Sequence, residues 1–335
     1  MSTRHFYRAM PLAIAIIATA SLTAMPASAV DWKGYHYTNV NTQPSYQALE
    51  RIAADVEKAS GGKVTFKLNV GGSLPIPATS ITQAVGDGLL QFAADGFYTS
   101  SIPVGGIAFL PTLLATPAEF DAAYGALEPF LAEAYAKRGV KLLGHYRYPL
   151  QTVFANVPIT SLADIAGKKA RVTSAEQAEF VKRLGGTPVT IGSPEVATAL
   201  QRGTINGIFT ASSGGARGYR EMLTHNYRFG PNFHLSLIIA NAEAFGKLPP
   251  DVQKELVEST RKHGAWVTAT YVEQELQFKE EYKKLGMVIT EASKDDAGKA
   301  VTLMAGYWDE WAKAKGPVAE QALAKVRQAV QAVKK

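Results

Sequence analysis

The stretch YQALERIAADVEKASGGKVTFKLNV, residues 46–70, reads as one helix followed at once by one strand, and that succession decides the fold class. Leu49, Ile52, Ala53 and Val56 recur at helical spacing over residues 46–58, which gives the helix a single apolar stripe. Gly61 and Gly62 stop it, as glycine commonly does at a helix C-terminus. Val64, Phe66, Leu68 and Val70 then alternate with Thr65, Lys67 and Asn69, the period-two pattern of a strand. Working outward, Thr79 or Ser80 caps a second helix through Ile81, Ala84 and Val85; Gly86 and Gly88 break it, and an apolar strand follows over residues 89–94. Further strand-like runs lie at 140–143, 169–172, 188–191, 205–209 and 235–239, with helical patterns between most of them. Alternating helices and strands predict an α/β chain.

Two later helices carry plain signals. Ser193 as N-cap, Pro194 at the first helical position and Glu195 beside the positive end of the dipole open one, and Gly203 closes it. From Pro250 to Gly286 the pattern stays helical for far longer than an ordinary domain helix, with Gly264 the one internal weak point. That length predicts an element able to brace two domains.

The start of the chain has a different character. Arg4 and Arg8 precede an apolar run through Leu12, Ile14, Ile16 and Ile17, and Ala27-Ser28-Ala29 supplies a small-residue cleavage site. This pattern predicts a cleaved export signal over residues 1–29, too short to span a bilayer. The remainder suits two domains of ordinary size. Losing Arg4 and Arg8 lowers the formal net charge from +6 to +4, and the charges are interspersed, so nucleic acid is not an expected partner. No cysteine occurs, which removes disulfides, thiolate metal sites, cysteine nucleophiles and a lipid-bearing anchor.

The six histidines are scattered without an H-E-x-x-H pair, and no G-x-S-x-G elbow or G-x-x-x-x-G-K-[ST] phosphate loop is present. Gly86-Asp87-Gly88 lacks the third glycine of a dinucleotide loop. No metal, no cofactor and no enzymatic activity are expected. An exported enzyme with catalytic groups drawn from distant loops is the rival class.

Several blocks occur in a fixed order: SGGKV at 60–64, FLP at 109–111, NVPI at 156–159, SLADIAGKKARV at 161–172, LGGTPV at 184–189, EVATALQRGTING at 195–207 and LPPDVQ at 248–253. Together they resemble the solute-binding proteins of tripartite ATP-independent periplasmic (TRAP) transporters, the DctP-type family, over essentially all of the chain after the leader. The resemblance implies a two-domain periplasmic solute-binding fold, type II-like, with a ligand cleft between the domains and a long helix bridging both. On that fold, residues 30–153 with 242–285 form the first domain, and residues 154–241 with 286–335 the second. It also implies a monomer in the Gram-negative periplasm that collects a small organic acid and meets membrane permease subunits transiently.

Within those blocks Arg171 stands where the family grips a ligand carboxylate, a role suited to a planar fork of donors that stays charged in a dry cleft. Where many members have a second arginine this chain has Gln151, which cannot neutralise a second negative charge. A monocarboxylate with a 2-hydroxy, 2-oxo or aromatic group is therefore expected over a dicarboxylate or sugar acid, unless Arg147 or Lys168 supplies charge. Thr210 stands where an asparagine is often found, and Asn39 and Asn41 fall in the family's first cleft loop. Phe97, Tyr98, Tyr148, Phe209, Phe233 and His234 complete the expected site, with ordinary core packing the alternative for each.

Overall fold

The structure is a computed structural model that describes residues 1–3 and 29–334, so the leader expected over residues 1–29 lies almost wholly outside the described residues. The strands in chain order are β1 (Val30–His36), β2 (Val64–Asn69), β3 (Phe92–Asp95), β4 (Val140–Tyr148), β5 (Thr152–Ala155), β6 (Lys169–Val172), β7 (Thr187–Thr190), β8 (Gly207–Thr210), β9 (His225–Tyr227), β10 (His234–Asn241) and β11 (Val288–Thr290). They build two sheets, ordered β2-β1-β3-β10-β4 and β11-β9-β5-β8-β6-β7. The helix Pro44–Ala59 buries Leu49, Ile52 and Val56, and the chain returns through β2 to pair in parallel with β1, as the opening stretch demands.

Each sheet mixes directions. β1 pairs in parallel with β2 and β3, and β6 in parallel with β7 and β8, while β10 and β5 run antiparallel to their neighbours. β10 and β5 are the strands through which the chain changes sheet. It passes from β4 into β5 over residues 149–151 and returns from β9 into β10 over residues 228–233. The two crossings are tied together by Gln151 N–H donating to Asn232 O at 2.9 Å.

Two segments fall on the other side of the expected domain boundaries. β10, assigned from sequence to the second domain, lies in the first sheet between β3 and β4. All eight of its residues are buried, so it needs a strand on each edge, and the interior of the first sheet provides both. The helices Tyr307–Lys315 and Pro317–Val333 also leave the expected second domain, placing Trp311, Leu323 and Val326 in the core of the first. The second sheet keeps a core on each face, around Val172, Phe180 and Phe209 on one side and Phe154, Val196 and Ile208 on the other.

The long helix spans Pro250–Lys284, 35 residues. Its first part grips the first unit: Ser259 Oγ and His263 Nε2 meet Asp55 Oδ2 at 2.8 and 2.9 Å, and Arg51 lies 3.8 Å over the Trp266 ring. Gly264 proves to be a contact point. A Cβ there would fall 2.2 Å from His145 O, so only glycine lets helix and β4 lie this close. From Glu275 onward the helix belongs to the second unit. The Glu275 carboxylate accepts from Ser213 N and from Arg228 Nη2 at 2.9 and 3.0 Å, and Tyr282 donates to Ser212 O at 2.9 Å.

Candidate ligand site between the two units

In sheets of this kind ligands bind beyond the carboxyl ends of parallel strands. Here those ends face one another across a cavity of about 490 Å³, its open mouth included. From the first unit come Tyr37 after β1, Phe97 after β3, Tyr148 at the end of β4 and His234 at the start of β10. From the second come Arg171 and Thr173 at the end of β6, Thr210 at the end of β8, and Gln151 in the crossing.

Arg171 is 6% exposed, and its Nε donates to Ile191 O at 3.1 Å. Among the described residues its terminal nitrogens have no protein acceptor and no Asp or Glu forms an ion pair with it. Burial pulls its pKa down, and Tyr219, Tyr37, Glu195 and Tyr148 pull only weakly the other way; an arginine nonetheless keeps its proton. The Phe97 ring centroid lies 5.5 Å from the guanidinium carbon, a contact that joins the two units. A buried cation lacking an anion is costly, so this site is incomplete without a negatively charged group.

The neighbouring polar groups have defined roles. Burial, reinforced by the Arg171 charge, pushes the His234 pKa down to about 3, so its ring is neutral; its Nδ1 meets Thr173 Oγ1 across the cleft at 3.3 Å. Thr210 Oγ1 accepts from Gly215 N at 3.0 Å, and a Cβ on Gly215 would fall 2.7 Å from that oxygen, so glycine is required there. Gln151 Nε2 donates to Pro149 O at 2.9 Å. Behind the cavity Tyr37, Tyr146, Tyr148 and Tyr271 form one hydrogen-bonded cluster, with Tyr37 donating to Tyr148 at 3.0 Å and Tyr271 approaching Tyr148 at 3.2 Å.

Arg171, Gln151, Thr210, Asn39, Phe97, Tyr148 and His234 thus come together around one cavity, Asn39 at its exposed rim. Three expected residues lie elsewhere. Tyr98 packs on Phe109 and Tyr135 in the first core, Phe209 on Phe180 in the second, and Phe233 on Phe120 with Arg147 at 5.4 Å. Each is the chain neighbour of a lining residue; Phe209 and Phe233 face away because neighbours in extended chain point to opposite sides, and Tyr98 turns away as the first residue of a short helical turn, Tyr98–Ser100. Nor do Arg147 and Lys168 line the cavity; Arg147 is held between Phe120 and Phe233, 3.5 Å from Asp121. The helix opening near Pro194 is capped by Gly192 instead of Ser193: Gly192 N donates to Glu195 Oε2 at 2.8 Å, which leaves Ser193 free to line the cavity.

Tyr37, Thr38, Gln43, Thr173 and Tyr219 also line the cavity and were missed from sequence. The position of Tyr37 and Thr38 just past a parallel strand was a usable signal, and so was the Ser213-Gly214-Gly215 run just past β8. Among the described residues no group of three or more His, Cys, Asp or Glu side chains could hold a metal ion, and no helix is long and apolar enough to cross a membrane.

The family model described as bacterial extracellular solute-binding protein, family 7 (DctP), matches residues 35–314. The chain belongs to that family. Among curated relatives, the ectoine-binding periplasmic protein TeaA of Halomonas elongata is 36% identical over 146 residues, covering 40% of this chain and 43% of TeaA. The match therefore spans less than half of that relative. The fold of this family 7 chain is similar to that of DctP7, a Bordetella pertussis extracytoplasmic solute receptor binding pyroglutamic acid: TM-score 0.83, 22% identity, covering 89% of this chain and 100% of the other. A TRAP periplasmic solute-binding protein from Desulfovibrio salexigens with bound orotic acid gives a TM-score of 0.83 at 20% identity, covering 90% and 99% of the two chains.

Proposed function

We propose that this protein is the extracytoplasmic solute receptor of a TRAP transporter, closing its two units on one small organic acid and presenting it to a membrane permease. The observation that carries this reading is Arg171, a buried guanidinium with no carboxylate partner among the described residues, in a cavity lined from both units. Arg171 takes the ligand carboxylate as a charge-assisted pair. Thr210 and Gln151 meet the remaining polar atoms, Phe97 and Tyr37 exclude water, and Asn39 closes the rim. Because ligand contacts come from both units, binding biases the open-to-closed equilibrium, which lets a permease tell loaded from empty receptor.

Arg171 is the one charged cation lining the cavity among the described residues, which favours a ligand with a single carboxylate. Ectoine, pyroglutamate and orotate, named for the relatives above, are sensible first probes alongside 2-hydroxy acids. A protein exported by its leader and working as a monomer in the periplasm fits this role. A thermal-shift screen of organic acids is the first test, since a ligand that binds only the folded state raises Tm by mass action. Arg171→Ala should then abolish calorimetric binding while leaving the Tm of the ligand-free protein nearly unchanged. Undiminished affinity in that variant would sink the assignment.

A further inference from the structure

Hydrogen bonds that the chain already makes limit what the groups lining the cavity can still offer a ligand. Thr38 N–H donates to His36 Nδ1 at 2.9 Å, so the proton of the neutral ring sits on Nε2. Burial keeps that ring neutral, pushing its pKa down to about 3. Nε2–H therefore donates to the Tyr146 hydroxyl at 3.2 Å, Tyr146 lies 3.3 Å from Tyr37, and the Tyr37 hydroxyl meets both Tyr148 at 3.0 Å and Ser236 Oγ at 2.9 Å. The Tyr148 hydroxyl also meets Tyr271 at 3.2 Å and Ser45 Oγ at 3.4 Å, so its hydrogen-bonding capacity is met by the chain itself although its side chain lines the cavity.

Gln151 keeps an open group. Its nitrogen must be the atom facing Pro149 O at 2.9 Å, since the flipped amide would set two oxygens together. Its Oε1 has no protein donor among the described residues and is not sealed off from the cavity. Arg171 and Thr210 offer protons, and Gln151 offers a bare acceptor beside them.

We infer that the cavity selects a carboxylate bearing an N–H or O–H donor for Gln151, as in a lactam acid or a 2-hydroxy acid. The acid of the same shape without the donor is rejected, because it strands the Gln151 oxygen unpaired on closure. This inference rests on the reading of Arg171 as the carboxylate anchor. It makes Gln151 the residue that sets specificity.

Calorimetry on two matched pairs tests it: a five-membered lactam carboxylate against the lactone carboxylate of the same ring, and 2-hydroxypropanoate against 2-oxopropanoate. In at least one pair the donor-bearing acid should bind about 100-fold tighter than its partner. Gln151→Leu should shrink that ratio to within about threefold. Equal affinities within both pairs for the unmodified protein overturn the inference and leave the carboxylate reading standing. Failure of every carboxylate to bind overturns both.

Discussion

At the scale of single residues, the buried histidines tie stability to pH. His36 and His234 have folded pKa values of about 3, while an unfolded histidine titrates near 6.5. Below about pH 6.5 the unfolded chain binds protons that the folded chain refuses, so stability is lost as pH falls towards 3 and is retained above. At pH 5 each ring costs about 2 kcal/mol by this linkage. Asp95 acts in the other direction: burial raises its pKa to about 6, so the folded state gains proton binding, and stability, as pH falls through that value. His145, its pKa lowered to about 4 by burial, adds to the histidine side and Glu176, raised by burial, to the carboxyl side. With three histidines against two carboxyls, Tm should be lower at pH 5 than at pH 7.5, and His36→Gln should lessen the drop; a flat profile in the unmodified protein contradicts it. Legibility at this scale stops at neighbouring residues. Sequence singled out Phe97 with Tyr98, Phe209 with Thr210 and Phe233 with His234, yet in each pair one member lines the cavity and the other fills a core. Composition near a strand end marks the place; the local backbone decides which side chain is used, through strand alternation at Phe209 and Phe233 and a helical turn at Tyr98.

At the scale of elements, the same substitution should have opposite signs at two helical glycines. Gly125, in the helix Pro117–Ala136, has nothing within 4 Å of an added Cβ, so Gly125→Ala should stabilise by about 0.5 to 1 kcal/mol through helix propensity alone. Gly264→Ala should cost about 2 to 3 kcal/mol, because the methyl group meets His145 O and the helix must move off β4. Thermal melts of the two variants decide the matter; a more stable Gly264→Ala protein would show that helix and strand are not in contact there. The helix itself was legible over nearly its whole length. What sequence read as its weak point is its closest contact with the sheet, and nothing in a local pattern announces an approach that depends on a strand more than 100 residues earlier. β10 was legible as apolar but not as central, since a strand buried on both faces gives no alternation from which to assign a sheet.

At the scale of the whole molecule, the bridging helix holds the second unit through Glu275 and Arg228, side chains only 9% and 13% exposed. Glu275→Gln should lower stability by about 3 kcal/mol by leaving Arg228 without its nearer carboxylate, Glu291 remaining 3.8 Å from Nε. An unchanged calorimetric Tm would show that the pair does not fasten the helix. Which segments belong to which unit was the least legible feature, because it depends on where the chain crosses. The first sheet waits for β10, its helical layer waits for Pro317–Val333, and the second sheet waits for β11. A chain emerging in order from its N-terminus therefore finishes neither unit until nearly all of it has been made. Such an arrangement favours a polypeptide that must be threaded across a membrane before it folds, since no early portion can set into a finished body that would block the channel.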